Sequence, residues 1–323
     1  MKTKQIIVLI IALAIFTVTG LSNVKKEEAP SFFASLMETS EEVYPNEDYF
    51  AVLRVSGTIS EVSDSGSIYS EPSAYQHAEL MDYVDDLMFD DNNTALYLII
   101  DSPGGTLYAS DELYLKLLDY KETTGRKIYC YFESMACSGG YYIAMAADEI
   151  YANRNCTTGS IGVYSQVLDL SGLYEKLGIK PEYIASSENK TMGSGDQPLT
   201  DEQRAILQSQ IDEAYDQFVS VVVSGRAMSE EQVRILADGR TYTAKQALGH
   251  GLIDGIVTEE EYDNRIAEET EVYNFYEPDF TSFSWSFLSG MLKSGMDSDT
   301  KTLVNLIKDC ENKGGRLYVK PLQ

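Results

Sequence analysis

Histidine is nearly missing from this chain of 323 residues, which contains only His77 and His250. A serine hydrolase built on an imidazole base therefore has two candidates for that base and no more. The four cysteines, Cys130, Cys137, Cys156 and Cys310, show neither Cys-x-x-Cys spacing nor histidine companions, which excludes the common zinc frameworks. Three of them lie in apolar segments and read as small buried hydrophobes. Basic residues are scarce too: 25 lysines and arginines against 51 aspartates and glutamates give a formal charge of −26. Such a chain repels phosphate backbones, so nucleic acid is not expected as a partner.

Long hydrophobic runs are also rare. One, residues 6–21, is preceded by Lys2 and Lys4 and approaches the ~17 to 20 residues that cross a bilayer as a helix. No Ala-x-Ala cleavage site and no nearby lipid-accepting cysteine follow it, so it reads as a retained anchor. The lysines place its start inside, and the catalytic region outside the cytoplasmic membrane. The expected organisation is an anchor with a short inside segment over residues 1–24, a polar linker over 25–47, a folded region over 48–270, and an aromatic-rich arm and tail over 271–323.

The folded region alternates strand and helix patterns. Strands are expected at 51–55, 95–100, 127–132, 149–152 and 182–185, and helices at 74–89, 110–120, 138–147 and near Leu173. Thr200-Asp201-Glu202-Gln203 is a capping box that starts a long helix running to about Val223. Ser229 with Gln232 and Thr243 with Gln246 repeat the signature. This rhythm implies a layered α/β fold with mostly parallel pairing. In the tail, Leu317-Tyr318-Val319 is apolar, follows two glycines and reads as an extended segment able to enter a peptide groove.

Ser138 lies in Met135-Ala136-Cys137-Ser138-Gly139-Gly140 at an expected helix start, where glycines permit a tight turn and free amides favour a developing oxyanion. Ala136 rules out the Gly-x-Ser-x-Gly elbow. A second glycine pair, in Ser102-Pro103-Gly104-Gly105, follows a buried strand and makes Gly105 an oxyanion donor, with the Gly139 amide as its partner. Lys190, in a polar loop, is the candidate base, with Lys180 and Lys176 as the alternatives. To be neutral near pH 7 its amine must titrate about 3 pH units below its free value, about 4 kcal/mol. Ser160, in Thr158-Gly159-Ser160-Ile161-Gly162-Val163, is a candidate for orienting that amine. His250 reads as a helix C-terminal residue and His77 as a helix residue remote from the glycine motifs.

Taken together, Asp101-Ser102-Pro103-Gly104-Gly105, Ala136-Cys137-Ser138-Gly139-Gly140-Tyr141-Tyr142-Ile143-Ala144, Thr158-Gly159-Ser160-Ile161-Gly162-Val163 and Ala237-Asp238-Gly239-Arg240-Thr241-Tyr242 resemble the signal peptide peptidase A family. The likeness spans most of residues 48–258, and the anchor with one catalytic region is similar to the family's short bacterial form. It departs from the family at Cys137, where alanine is more usual. The resemblance implies a Clp-protease and crotonase-like fold, Ser138 as nucleophile, Lys190 as general base, Ser160 as lysine-orienting residue and Gly105 as oxyanion glycine. It further implies a ring-shaped homo-oligomer with sites shared between subunits, peptide substrates such as remnant signal peptides, and no metal or cofactor. Two rival readings are a crotonase-like acyl-CoA enzyme, which would bind coenzyme A, and a catalytically silent membrane scaffold, which would be indifferent to Ser138→Ala.

Overall fold

Alternation along the strands sets the architecture. In β1 (Tyr49–Ser56), Tyr49, Ala51, Leu53 and Val55 face one hydrophobic cluster, while Phe50 and Val52 face another. A strand buried on both sides needs helices on both sides. The computed structural model describes residues 44–61, 75–278 and 316–319. Its elements in chain order are β1, α1 (His77–Leu87), β2 (Asn93–Ser102), α2 (Leu107–Thr124), β3 (Ile128–Cys137), α3 (Gly139–Ala144), β4 (Glu149–Ala152) and β5 (Thr157–Gly159). They continue with α4 (Ser171–Leu177), α5 (Asp201–Arg226), α6 (Glu230–Leu236), β6 (Thr241–Thr243), α7 (Ala244–Gly249), β7 (Gly255–Ile256), α8 (Glu259–Thr270), β8 (Asn274–Glu277) and β9 (Arg316–Val319).

One sheet of nine strands runs β6-β5-β3-β2-β1-β8-β9, with β4 joining β3 to β7. Its pairings are parallel except β5 with β6 and β8 with β9. The fold is mixed α/β with a largely parallel sheet. Helices α1, α2, α3 and the C-terminal part of α5 cover one face, and Tyr262 and Ile266 of α8 pack on the other.

One irregularity positions the site. Ile100 pairs with Phe132 and Ser102 with Ala136, so Glu133, Ser134 and Met135 together stand opposite Asp101. The Asp101 carboxylate accepts from the Ser134 hydroxyl and from Met135 N at 3.0 Å, which fixes this bulge. Before it β3 pairs with β4, and after it with β5. The bulge lets one strand serve two neighbours and carries its end to Ser138.

Two expectations are overturned. Residues 182–185 form no strand but exposed coil, and Ile184 stands fully in solvent at 101% exposure. Residues 316–319 do not enter a groove: they pair antiparallel with β8, four strands away from β3, so their backbone groups are used in the sheet. The capping boxes at Thr200, Ser229 and Thr243 are present, and Thr258 with Glu261 forms a fourth. The apolar run 6–21 and Cys310 lie outside the described residues. Among those described, no helix is long and apolar enough to cross a membrane.

Candidate active site

Ser138 follows the last residue of β3 and caps α3 with φ 50° and ψ −119°. Its amide donates to Gly159 O at 2.9 Å, and its carbonyl accepts from Tyr142 N. The hydroxyl therefore sits on a backbone fixed from both sides, half-exposed where β3 meets β5. Thr158 strengthens this junction, its buried hydroxyl donating to Ala136 O at 2.6 Å.

The loop after β2 packs directly against this turn. A side-chain carbon on Gly104, whose φ is +103°, would fall 2.7 Å from Ser138 Cβ and 2.9 Å from Gly139 N. Only glycine fits there. Its neighbour Gly105 is bracketed by Ile59, which donates to Gly104 O at 3.0 Å and accepts from Thr106 N at 2.9 Å. In such a parallel bridge the bracketed residue turns its own N–H to the opposite edge. That edge faces the serine turn: a side-chain carbon on Gly139 would lie 3.2 Å from Gly105 N. The Gly139 amide, at the first turn of α3, lacks an intrahelical partner. Two main-chain donors thus converge beside Ser138, an arrangement able to stabilise an oxyanion.

Ser160 follows Gly159 with φ 51°. Its amide donates to Arg240 O at 2.8 Å, and Gly239 N donates to Ile161 O at 3.1 Å. The Asp238-Gly239-Arg240 stretch thus backs the Ser160 turn. Gly159 itself leaves room for the Tyr242 ring, 2.6 Å from where a side chain would begin.

Lys190 is placed apart. It lies in a 3-10 turn, Glu188–Thr191, on an arm formed by residues 164–200 and the N-terminal half of α5, and it is exposed. Asn189 Nδ2 donates to Glu202 Oε1 at 3.4 Å, tying the turn to α5, and Gln197 Nε2 donates to Thr191 Oγ1 at 3.1 Å, tying it to the stretch ahead of that helix. No side-chain hydrogen bond joins Lys190 to Ser138 within the chain. The structure brings Ser138, Gly105, Gly139 and the Ser160 turn together, but not the lysine.

Other nucleophiles and bases near the site are held inert. Burial pushes the Cys137 thiol up to about 11 and that of Cys156 up to about 12, so both stay protonated and unreactive near neutrality. Cys130, Cys137 and Cys156 are all free and buried. His77 has both ring nitrogens engaged, Nδ1 with Tyr75 Oη at 2.7 Å and Nε2 with Glu112 Oε2 at 2.9 Å. Neither remains for Ser138. His250 is the C-cap of α7, as its sequence position suggests, and packs edge-on to Tyr242.

Within the arm runs an open groove of about 640 Å³, lined by Tyr164, Val167, Leu199, Arg204, Leu207 and Ile211 among others. The arm also exposes Leu168, Leu173, Leu177, Ile179, Tyr183 and Ile184. Sequence reading missed Asp101 as the clamp of the β3 bulge and Tyr142 as a contact between helices. No local signal marks a cross-strand or interhelical bond.

The family model described as Peptidase family S49 matches residues 121–273. A protein of Enterococcus faecium named after signal peptide peptidase SppA is 32% identical over 88% of this chain and 83% of its own length. The protein slr0021 of Synechocystis sp., which carries the name of a protease, is 44% identical over 52% of this chain and 60% of its own. The chloroplastic serine protease SPPA of Arabidopsis thaliana is 32% identical over 65% of this chain and 30% of its own.

Proposed function

The chain belongs to peptidase family S49 and is a serine peptidase, and from that premise we propose that it is a membrane-anchored endopeptidase that cleaves apolar peptides, including remnant signal peptides, outside the cytoplasmic membrane. The observation that carries the reading is the strained Ser138 turn against the Gly105 amide. The Ser138 hydroxyl attacks the scissile carbonyl while neutral Lys190 takes its proton. The Gly105 and Gly139 amides hold the oxyanion, and Ser160 orients the amine. Lys190 returns the proton to the leaving amine. Water then enters, loses its proton to the lysine and hydrolyses the ester, which restores the serine hydroxyl.

The layered α/β sheet supports a Clp-protease and crotonase-like fold. The subunits assemble as a ring in which Lys190 of one chain meets Ser138 of a neighbour. Two features support this: Lys190 projects from the body on an arm, and that arm carries apolar side chains that find no core within their own chain. The residue-6–21 segment supplies the anchor, and the name borne by the Enterococcus faecium relative suggests the substrate class.

Purified Ser138→Ala and Lys190→Ala proteins test this reading with an apolar fluorogenic peptide. Each variant alone loses at least about a thousandfold in kcat. Mixing the two during assembly restores activity at about a quarter of the sites if dyads form across subunits and chains mix randomly. Full activity in Lys190→Ala sinks the base assignment, and a mixture as dead as its components sinks the shared site.

A further inference from the structure

Tyr142 lies one helical turn after Ser138, and its hydroxyl is a meeting point of three elements. It donates to Asp111 Oδ1 of α2 at 2.5 Å and accepts from Gln217 Nε2 of α5 at 2.9 Å. Each element carries one part of the machinery: α3 begins beside Ser138, α2 begins two residues after Gly105, and α5 is the stem of the Lys190 arm. The ring is 1% exposed and packs edge-on to Tyr114 of α2 and at a tilt to Phe218 of α5. Burial, reinforced by the bond to Asp111, pushes the phenol up, so its proton stays in place to be donated.

We propose that the Tyr142 hydroxyl is a positioning group for catalysis, which sets the angle at which α5 leaves the body and thereby places the lysine turn for reaction. This rests on the reading of Lys190 as the base. The packing of the ring alone would be satisfied by phenylalanine. What the hydroxyl adds is direction, through two bonds of fixed geometry to two different helices. The stem amplifies small errors: from Gln217 to Glu202 it spans about 22 Å, so a tilt of about 10° at its root moves the far end by about 4 Å. Reacting groups tolerate about 1 Å before losing about a hundredfold in rate.

The groups that titrate against the hydroxyl are Asp111 and Tyr114, both on α2, whereas α5 offers the neutral Gln217. This gives the site a distinctive signature. In Gln217→Glu two carboxylates compete for one hydroxyl proton, and their repulsion raises the pKa of one of them. As pH falls that carboxyl protonates and becomes a donor again.

The test measures kcat, KM and the rate of Ser138 labelling by a fluorophosphonate in the assembled, full-length enzyme. Tyr142→Phe is expected to lower kcat about tenfold or more with KM within about twofold, and to slow labelling in parallel. Gln217→Glu, at an exposed position that tolerates exchange, is expected to show a kcat ratio to parent that is low near pH 8 and climbs toward one as pH falls toward 5. A lower melting temperature with parental kcat in both variants, or a ratio flat with pH, overturns the proposal. Lys190→Ala assayed alongside separates the two layers. If it is active, the base assignment fails and this proposal with it; if it is dead while both other variants keep parental kcat, the positioning role alone fails.

Discussion

Ser138 carries its hydroxyl on a backbone that glycine adopts most readily. With φ 50° and ψ −119°, the residue pays about 1 to 3 kcal/mol in strain, persisting because β5, Gly104 and the first turn of α3 fix it from three sides. Ser138→Gly and Ser138→Ala should both be inactive, but the glycine variant should be the more stable by about 1 kcal/mol, after allowance for its looser unfolded chain. Urea melts of the two variants check this, and coincident midpoints would show that no strain is stored. At this scale much of the site was legible from sequence. Glycine pairs that directly follow a strand mark places where backbones approach closely, and the pairs at 104–105 and 139–140 are at the site. The lysine was legible only through the family pattern, because nothing in a polar loop distinguishes a base from a solvated side chain.

The elements were legible where their signals are local. The capping boxes at Thr200, Ser229 and Thr243 start α5, α6 and α7 as expected, since the side chain and backbone involved lie within four residues. The strand β4 likewise matches its apolar run. By contrast β3 reads as ending at Phe132, whereas it extends to Cys137. Glu133, Ser134 and Met135 break the apolar pattern because they bulge toward Asp101, and only the folded sheet supplies that partner. Asp101→Ala should leave Met135 N and the Ser134 hydroxyl without their acceptor, costing about 1 to 2 kcal/mol and lowering kcat as the strand end loosens. Asp101→Asn keeps an acceptor oxygen and should recover most of the turnover. A urea melt with a parallel rate assay tests both, and equal kcat in parent and Asp101→Ala would show that the bulge needs no clamp.

At the scale of the molecule, Arg226 joins the end of α5 to the body. Its guanidinium donates to Asp254 Oδ1 at 2.7 Å, to Asp254 Oδ2 at 2.9 Å and to Gly251 O at 2.9 Å. Burial acts to raise the Asp254 carboxyl, but the bonds from Arg226 and Ile150 N prevail and hold it below the usual carboxylate range. A carboxyl depressed on folding stabilises the protein above its unfolded pKa, and that gain vanishes as pH falls through the lower folded value. Asp254→Ala should therefore cost about 1 to 2 kcal/mol at pH 7, discounted because the carboxylate is partly exposed. The gap to parent should be complete above about pH 4 and close in stronger acid, as urea melts at pH 7 and pH 3 would reveal. A gap unchanged between them would assign the loss to packing. The misread stretch 182–185 belongs to this scale as well: its apolar residues have no core within one chain, so a pattern that signals burial did not signal a strand.

The antiparallel pairing of residues 316–319 with β8 covers that strand's edge and makes them the outermost strand, a four-residue edge that carries Arg316 and is followed directly by Lys320 and Pro321, residues that discourage further pairing. Bare strand rims recruit other chains through their unpaired amides. Proteolytic trimming of the carboxy terminus should therefore surface first as turbidity and thioflavin-positive sediment in stored samples, with the soluble fraction still turning over peptide at its former speed.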